Sequence, residues 1–277
     1  MGINKREFLK LGGLAIVGVS AAPAIRALAQ AEPLVAAPVA APAPSPAPAA
    51  AVGKKRMAMA INAKVCPADC RDCIQACHTV HNVPNFVTNP DPAVNNPRHE
   101  IKWIWGEEFK HAFPGQEAQY VGGLQERRVL VLCNHCDNPP CVRVCPTKAT
   151  FRRPDGIVMM DYHRCIGCRF CVAACPFGAR SFNWRDPRPA FSPGGKFSPP
   201  TPDYPTRTKG VVEKCTFCVE RLAQGQKPAC VEACKSGGLI FGDLEDPQSE
   251  IRQALGAAFS VRRRAELGTL PMVYYLA

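Results

Sequence analysis

Residues 165–176 read C-I-G-C-R-F-C-V-A-A-C-P, a group of four closely spaced cysteines followed by a proline. Comparable groups occur three more times in the 277 residues, and together the four groups contain all 16 cysteines of the chain. The first group is Cys66, Cys70, Cys73 and Cys77, the second is Cys133, Cys136, Cys141 and Cys145, the third is Cys165, Cys168, Cys171 and Cys175, and the fourth is Cys215, Cys218, Cys230 and Cys234. The chain therefore repeats one four-cysteine unit.

The spacing of the third group, C-x2-C-x2-C-x3-C-P, is typical of sites for iron–sulfur clusters. A tight turn of this kind places three thiolates around one face of a [4Fe–4S] cubane, with the intervening amides directed at the sulfurs. The fourth cysteine follows at the start of a helix and, in proteins with two clusters, binds the other cluster. The groups are therefore expected to work in pairs, and the sixteen cysteines predict four [4Fe–4S] clusters.

Other uses of the cysteines fit the spacing less well. Zinc ribbons pair two C-x2-C knuckles and do not need a trailing x3-C-P. Disulfides are favoured outside the cytoplasm, but cysteines two or three residues apart, four times over, are awkward partners. A c-type haem needs C-x-x-C-H, and the run from Cys73 to His78 has one residue too many. One [3Fe–4S] centre among the four clusters remains an alternative.

The first 29 residues have the layout of an export signal. A basic segment (4–10) precedes a weakly apolar stretch (11–25), and Ala27-Leu28-Ala29 offers a cleavage site. The basic segment resembles a twin-arginine signal with Lys5 in place of the first arginine, and a general secretory signal is the alternative. Export of a folded, cofactor-loaded protein favours the twin-arginine route, and we expect a periplasmic location.

Residues 30–53 are almost entirely Ala, Pro and Val, which predicts an extended linker. Residues 54–277 are predicted to form one domain with four clusters. No apolar stretch reaches the length that crosses a bilayer, so this domain is expected to have no membrane span of its own after signal removal. The formal net charge of +11 does not indicate nucleic acid, because clusters held by thiolates would offset most of it.

Outside the cysteine groups the sequence gives weaker signals. Residues 57–62 predict a first strand, and residues 151–161 predict a hairpin with Asp155-Gly156 at its turn. Alternation over residues 101–105 predicts a half-buried strand. The Pro-, Gly- and Ser-rich residues 184–210 predict a long surface loop, as a contact surface or as a cover for the clusters.

Several polar residues beside the groups are candidates for tuning the clusters. His78 and His81 follow the first group and are expected either to hydrogen-bond structurally or to adjust a cluster potential. Basic residues close to the groups are expected either to offset cluster charge or to lie on a solvated surface; they are Arg143, Lys148, Arg169 and Lys235.

The order of the groups resembles the four-cluster ferredoxin-type subunits that accompany molybdopterin oxidoreductases and polytopic quinone-interacting membrane subunits. The resemblance rests on K-C-T-F-C (214–218) with P-A-C-V-E-A-C (228–234), and on C-N-H-C-D-N-P-P-C (133–141). The segments A-C-H-T-V-H-N-V-P (76–84) and E-I-K-W-I-W-G-E (100–107) are also similar to the DsrO type, the periplasmic iron–sulfur subunits of membrane complexes associated with dissimilatory sulfite reductase.

The resemblance implies a pairing of the groups, first with fourth and second with third. The implied ligand sets are Cys66, Cys70, Cys73 and Cys234; Cys215, Cys218, Cys230 and Cys77; Cys133, Cys136, Cys141 and Cys175; and Cys165, Cys168, Cys171 and Cys145. The implied fold is α+β, with two ferredoxin-like modules in a pseudo-symmetric arrangement. The outer module would comprise residues 57–81 and 211–240, and the inner module residues 127–182.

The sequence contains no signature of substrate chemistry, such as a Gly-rich phosphate loop, a catalytic triad or an open metal position, so no catalytic residue is predicted. We expect an electron-transfer subunit. The resemblance implies two partners: a quinone-interacting integral membrane subunit and a periplasmic cytochrome c subunit of a Dsr-type complex. The alternative is the electron-transfer subunit of a molybdopterin oxidoreductase, and a zinc or disulfide scaffold is the alternative without redox function.

Overall fold

A computed structural model describes residues 55–67, 69–115 and 125–276. The expected export signal (1–29) and linker (30–53) lie outside the described residues. The strands are β1 (Met57–Asn62), β2 (Ile104–Glu108), β3 (Arg128–Leu132), β4 (Thr150–Arg152), β5 (Val158–Met160), β6 (Ser181–Phe182), β7 (Val212–Glu213), β8 (Leu239–Asp243), β9 (Ser260–Val261) and β10 (Val273–Leu276). The helices are α1 (Asp72–Val80), α2 (Phe109–Ala112), α3 (Pro140–Arg143), α4 (Phe170–Ala173), α5 (Val219–Ala223), α6 (Ala229–Glu232) and α7 (Glu250–Ala257).

The largest sheet has four strands in the order β8-β1-β10-β9. The central strand β1 pairs with β8 in antiparallel and with β10 in parallel orientation. The side chains of β1 alternate between two cores: Met59 and Ile61 belong to the main core, whereas Ala58 and Ala60 pack with Ile251 of α7. The sheet therefore joins the start and the end of the domain, and the prediction of a strand at 57–62 is confirmed.

Three two-stranded ladders complete the sheet structure of the described residues, and all are antiparallel: β2 with β3, β4 with β5, and β6 with β7. The ladder of β4 and β5 confirms the predicted hairpin, and Gly156 in its turn has a positive φ of 83°. The strand predicted at 101–105 begins at Ile104 instead. Trp103, which is fully buried, precedes it and donates its indole N–H to Glu213, so burial of this side chain is not due to sheet alternation.

The four cysteine groups share a local geometry. In each group the third cysteine (Cys73, Cys141, Cys171 or Cys230) is the second residue of a short helix. Helix α1 of the first group packs against α6 of the fourth, and α3 of the second packs against α4 of the third. The fold is thus a mixture of short helices and strands around paired groups. The pseudo-symmetric arrangement of two modules stays a prediction.

The three later groups also share the turn that follows their last cysteine. The residue three positions on has a positive φ and donates its amide N–H to the carbonyl of that cysteine: Lys148 to Cys145, Gly178 to Cys175 and Gly237 to Cys234.

Within the described ranges, no helix combines the length and the apolar character that crossing a bilayer requires.

Candidate iron–sulfur centres

Cysteines from the first and fourth groups meet at one recess of about 330 Å³. Its sulfur-bearing lining is Cys66, Cys70, Cys73 and Cys234, and we call it the first recess. The contact between α1 and α6 brings Cys234, which follows α6, close to the first group. Between Cys66 and Cys70, which are separated by three residues, the Cys70 amide donates to the Pro67 carbonyl. The other walls are mostly apolar: Ile61, Leu130 and Leu239 line this recess.

A second recess, of about 320 Å³, combines cysteines of the second and third groups. Its sulfur-bearing lining is Cys133, Cys136, Cys141 and Cys175. The contact between α3 and α4 brings Cys175 into this set. The remaining walls include Phe177, Val158 and one charged side chain, Arg180. In both recesses, therefore, the fourth cysteine of one group joins the first three of another.

The remaining cysteines form two further sets in the same manner. Cys77 is buried, and the thiols that interact with it most strongly are Cys215, Cys230 and Cys218 of the fourth group. We call these four cysteines the Cys77 set. Cys171 of the third group interacts with Cys165 of its own group and also with Cys145 and Cys141 of the second. Cys168, the remaining member of the third group, is partly exposed.

All sixteen cysteines are free thiols. Burial raises the pKa of Cys73 to about 12, and the nearby thiols Cys66, Cys234 and Cys70 add to the shift. Burial likewise raises the pKa of Cys136 to about 12, with Cys133 contributing. Four such thiols cannot all ionise side by side unless a cationic core binds among them. Soft thiolate donors select Zn²⁺, Cu⁺ or iron–sulfur clusters, and the cysteine spacing of the four groups favours the clusters.

Backbone amides point at several of the sulfurs. The amides of Phe217, Ala229 and Thr150 donate to Cys215, Cys218 and Cys145, each across 3.4 Å. Burial tends to raise the pKa of Cys145, but hydrogen bonds from the amides of Thr150, Thr147 and Ala149 and from the Thr147 hydroxyl bring this pKa below its ordinary value. Such donors stabilise thiolate ligands and influence cluster potentials.

A left-handed residue precedes the second cysteine in three groups: His135, Gly167 and Phe217, with φ of 40°, 69° and 54°. The rings of His135 and Phe217 stack, with centroids 3.6 Å apart. The His135 Nδ1 accepts the Val158 amide, and burial holds its pKa well below the usual range, so this imidazole is neutral. The three left-handed residues turn the chain around the cysteines, and the stack of His135 on Phe217 links the second group to the fourth.

The histidines after the first group differ in their surroundings. The His81 ring hydrogen-bonds the Cys77 carbonyl through Nδ1 and the Glu220 carboxylate through Nε2, each across 2.8 Å. Its Nδ1 also lies 3.6 Å from the Cys77 sulfur. His81, Cys218 and Glu220 are close enough to hold a metal ion, but Cys218 belongs to a cysteine set already described. His81 therefore supports the Cys77 set rather than forming a separate site.

The long loop over residues 184–210 packs against the segment that follows the first group. The Asn82 amide donates to the carbonyls of Thr201 and Tyr204, each across 2.7 Å. Arg207 donates to the Asn82 carbonyl and pairs with the buried Glu213 carboxylate at 2.7 Å. This part of the loop therefore covers the region of the first and fourth groups.

The four basic residues singled out in the sequence follow the second of their two expected roles and lie on the surface, and other cations lie beside the recesses. The four expected cations, Arg143, Lys148, Arg169 and Lys235, are all exposed. Two others, Arg180 and Lys214, are buried beside cysteines of the second recess. Lys214 directly precedes Cys215 and Arg180 follows Cys175 by five residues. Proximity to a cysteine was the available signal, but nothing in the sequence shows that these two cations are buried.

Thiol sets drawn from paired groups, short helices and amide-lined sulfurs define a ferredoxin-type protein. In agreement, a family described as "4Fe-4S dicluster domain" matches residues 129–188 and 199–244. The chain belongs to the family of 4Fe–4S dicluster iron–sulfur subunits, and some members of this family match it over nearly its whole length.

Three of these relatives define the family further. The chain is 38% identical to the Hdr-like menaquinol oxidoreductase iron–sulfur subunit 1 of Archaeoglobus fulgidus, over 99% of this chain and 97% of the relative. It is 35% identical to the iron–sulfur cluster-binding subunit of the menaquinone reductase of Nitratidesulfovibrio vulgaris, over 81% and 89%. It is also 35% identical to one subunit of the tetrathionate reductase of Salmonella typhimurium, over 100% and 89%.

Proposed function

We propose that this chain is an electron-transfer subunit that carries four [4Fe–4S] clusters. The observation that carries the proposal is the meeting of distant cysteine groups at common recesses, Cys234 with the first group and Cys175 with the second. The proposed ligand sets are Cys66, Cys70, Cys73 and Cys234; Cys77, Cys215, Cys218 and Cys230; Cys133, Cys136, Cys141 and Cys175; and Cys145, Cys165, Cys168 and Cys171.

Electrostatic interactions between thiols of different sets support an arrangement of the four sets in a row. Cys73 of the first recess neighbours Cys230 of the Cys77 set, and Cys215 of that set neighbours Cys133 of the second recess. Cys141 of the second recess neighbours Cys171 of the last set. The sets at the two ends each contain three partly exposed cysteines, whereas the Cys77 set is buried throughout. This arrangement suits entry of electrons at one end and exit at the other.

In this proposal the bound clusters supply the one-electron redox chemistry. The residues of the chain hold the irons through thiolates and exclude water from the interior sets. Amides such as those of Phe217 and Ala229 donate to the sulfurs and thereby influence the potentials. No described residue is assigned a role in substrate chemistry.

For the partners, we propose a quinone-interacting integral membrane subunit on one side and a periplasmic cytochrome c subunit on the other, as in a Dsr-type complex. Relatives named as subunits of a menaquinol oxidoreductase and a menaquinone reductase support the quinone partner. The match to a tetrathionate reductase subunit supports the second candidate, the electron-transfer subunit of a molybdopterin oxidoreductase. Purification of the native complex distinguishes the two, because only the second predicts a pterin-containing catalytic chain.

Iron analysis and single cysteine variants test the four-cluster proposal. Anaerobically reconstituted protein should bind about sixteen irons, four for each cubane. Cys175→Ala should alter the cluster bound by Cys133–Cys141, whereas the matched variant Cys171→Ala should alter the cluster of its own group. Binding of about eight irons by folded protein, or loss of the same cluster in both variants, would contradict the proposal.

We also propose export by the twin-arginine route, which places the subunit on the periplasmic side of the membrane. Clusters need reduced thiols and a supply of iron and sulfide, so they are acquired in the cytoplasm before export. Replacement of Lys5 and Arg6 by glutamine should leave cluster-loaded precursor in the cytoplasm. Appearance of mature, cluster-bearing protein in the periplasm of cells that lack the twin-arginine translocase would refute this route.

A further inference from the structure

Arg180 in the lining of the second recess, and Lys214, which donates to the carbonyl of Val158 in that lining, are buried cations without an ion-pair partner among the described residues. Arg180 is 5% exposed and Lys214 is 0% exposed. Of the other buried cations among the described residues, Arg207 pairs with Glu213 at 2.7 Å and Arg56 with Asp137 at 3.0 Å, whereas Arg263 donates to the Ala112 carbonyl and has no carboxylate within ion-pair distance. The charge of Arg180 and Lys214 therefore has to be offset in another way.

The contacts of the two side chains are only partly complete. Lys214 donates from Nζ to the carbonyls of Val158 and Cys215. Arg180 is part of the lining of the second recess and donates from Nη1 to the Thr150 hydroxyl across 3.1 Å. The Arg180 Nη2 is buried and has no protein partner. The lining thus contains a guanidinium with one unused donor.

For both cations the strongest thiol interaction is with a cysteine of the second recess, and Cys171 and Cys215 of the adjacent sets contribute as well. Arg180 interacts electrostatically with Cys141, Cys171 and Cys133, and the strongest thiol interaction of Lys214 is with Cys133. An unpaired buried charge costs several kcal/mol. A cluster with four thiolate ligands carries net negative charge and supplies the missing counter-charge at this position.

We propose that Arg180 and Lys214 set the potential of the cluster at the second recess and make it the most easily reduced of the four. The inference rests on the proposed four-cluster function. A fixed positive charge in a medium of low dielectric favours the state with one more electron. The step is the transfer of one electron from a neighbouring reduced cluster to this one, with no bond formed or broken.

The first recess provides the contrast that makes the effect specific. The cations that interact with Cys66 are Arg127, which is exposed, and Arg71, which is half-buried and thus still open to solvent. Lys235 directly follows Cys234, but its side chain is 88% exposed and pairs with Asp72. Solvent and salt screen charges in such positions. A cluster there would receive little stabilisation of its reduced state.

The test uses cluster-loaded protein with Lys214→Met or Arg180→Met, and Lys235→Met as the matched exposed control. Potentiometric titration followed by electron paramagnetic resonance measures each cluster. Each buried-cation variant should lower the reduced-to-oxidised ratio of one cluster at least tenfold at a fixed ambient potential, equal to 59 mV for a one-electron couple. The control should change every ratio less than twofold. Arg180→Lys, which keeps the charge, should recover most of the ratio.

Several outcomes would overturn the inference: equal shifts in the buried and exposed variants, a uniform shift of all clusters, or no recovery in Arg180→Lys. If both methionine variants fail to bind iron, the test uses cysteine variants of the two recesses in a chain that keeps Arg180 and Lys214. The signal that appears first on reduction should be changed by Cys136→Ser and not by Cys70→Ser, and the reverse would refute the inference. Iron content is measured first, since fewer than four clusters contradicts the proposed function, whereas sixteen irons with unmoved potentials contradicts the inference alone.

Discussion

The first and second recesses are each lined by four cysteines and by mostly apolar walls, yet their surroundings differ. The first recess is walled by aliphatic side chains, and three of its four cysteines are partly exposed. The second has three buried cysteines and a guanidinium in its wall. Because the ligand sets are alike, differences between two bound clusters must come from the protein around them.

The comparison also separates two ways of keeping a buried cation. Arg207 has a carboxylate, Glu213, and both side chains are almost inaccessible. Arg180 and Lys214 contact neutral oxygens, the Met160 thioether and the thiols, but no carboxylate. The first arrangement is complete within the polypeptide, whereas the second depends on a bound anion. The region around the second recess should therefore depend on its cluster for stability more than the region around the first.

The largest expected effect comes from removing one ligand at each recess. Cys136→Ala should prevent stable cluster binding at the second recess and leave Arg180 and Lys214 without a counter-charge. Breaking a buried charge pair costs about 3–5 kcal/mol, so most of the protein should fail to accumulate as a folded form. Cys66→Ala, at the partly exposed first recess, should fold and retain the other three clusters. The yield of soluble protein is compared first, and iron content and urea unfolding are then measured on the folded fraction of each variant.

The control for that comparison is the oxidised, cluster-loaded parent protein unfolded under the same anaerobic conditions. Equal losses of iron and stability in Cys136→Ala and Cys66→Ala would show that the surroundings of the two recesses do not matter. A greater loss in Cys66→Ala would reverse the comparison.

A second prediction concerns the cation that has its own carboxylate. Glu213→Gln leaves Arg207 buried without a counter-charge and weakens the acceptor for the Trp103 indole. We expect the free energy of unfolding to fall by about 3–5 kcal/mol. In the control, Glu250→Gln removes a carboxylate from the exposed ion pair with Lys227, whose loss should cost about 0–1 kcal/mol. Similar urea midpoints for the two variants would mean that Arg207 is less isolated from water than its burial indicates.

The sequence predicted the parts of this arrangement that depend on local spacing. The cysteine groups, the first strand and the hairpin with Asp155-Gly156 are local patterns, and the strand and hairpin are confirmed by the structure. The pairing of β1 with β8 and β10 was not predicted, because it joins strands more than 175 residues apart that carry no mutual signal. Long-range pairing depends on the complete core rather than on any one segment.

The sequence could not predict which cations beside the cysteine groups are buried, and the reason is a different one. A lysine directly before Cys215 has the same local appearance as the lysine directly after Cys234. Only packing distinguishes the two lysines. Lys214 is fully buried and donates to the Val158 carbonyl of β5, whereas the side chain of Lys235 is 88% exposed. The export signal and the linker lie outside the described residues, so those two expectations stay predictions.

A third prediction, of intermediate size, compares two glycines of the third group. Both have positive φ, 69° at Gly167 and 62° at Gly178. A Cβ on Gly167 would lie 2.3 Å from the Gly210 carbonyl, whereas a Cβ on Gly178 would meet nothing within 4 Å. Non-glycine residues tolerate the same conformation at the corresponding positions, His135 and Lys148. The requirement for glycine at position 167 therefore comes from the close approach of Gly210.

Accordingly, Gly178→Ala should cost only the left-handed strain of about 1–2 kcal/mol. Gly167→Ala should cost more, about 2–4 kcal/mol, because the strain is joined by displacement of a backbone carbonyl. It should also loosen the cluster of the third group, seen as faster iron release to a chelator. Equal unfolding midpoints for the two variants would show that Gly210 moves away freely.

The smallest expected effect is at the exposed side of the first recess. Asp72 begins α1 and pairs with Lys235 at 3.0 Å. The pair is open to solvent and should contribute little, so Asp72→Asn should remove mainly the favourable interaction of a carboxylate with a helix N-terminus, about 0.3–1 kcal/mol. Because salt screens that interaction, the difference from the parent protein should shrink between low and high salt. Lys235→Met, which leaves the helix N-terminus unchanged, should have the smaller effect of the two. A salt-independent loss as large as that of Glu213→Gln would mean that the first recess is as well shielded as the second, and the contrast between the two recesses would fail.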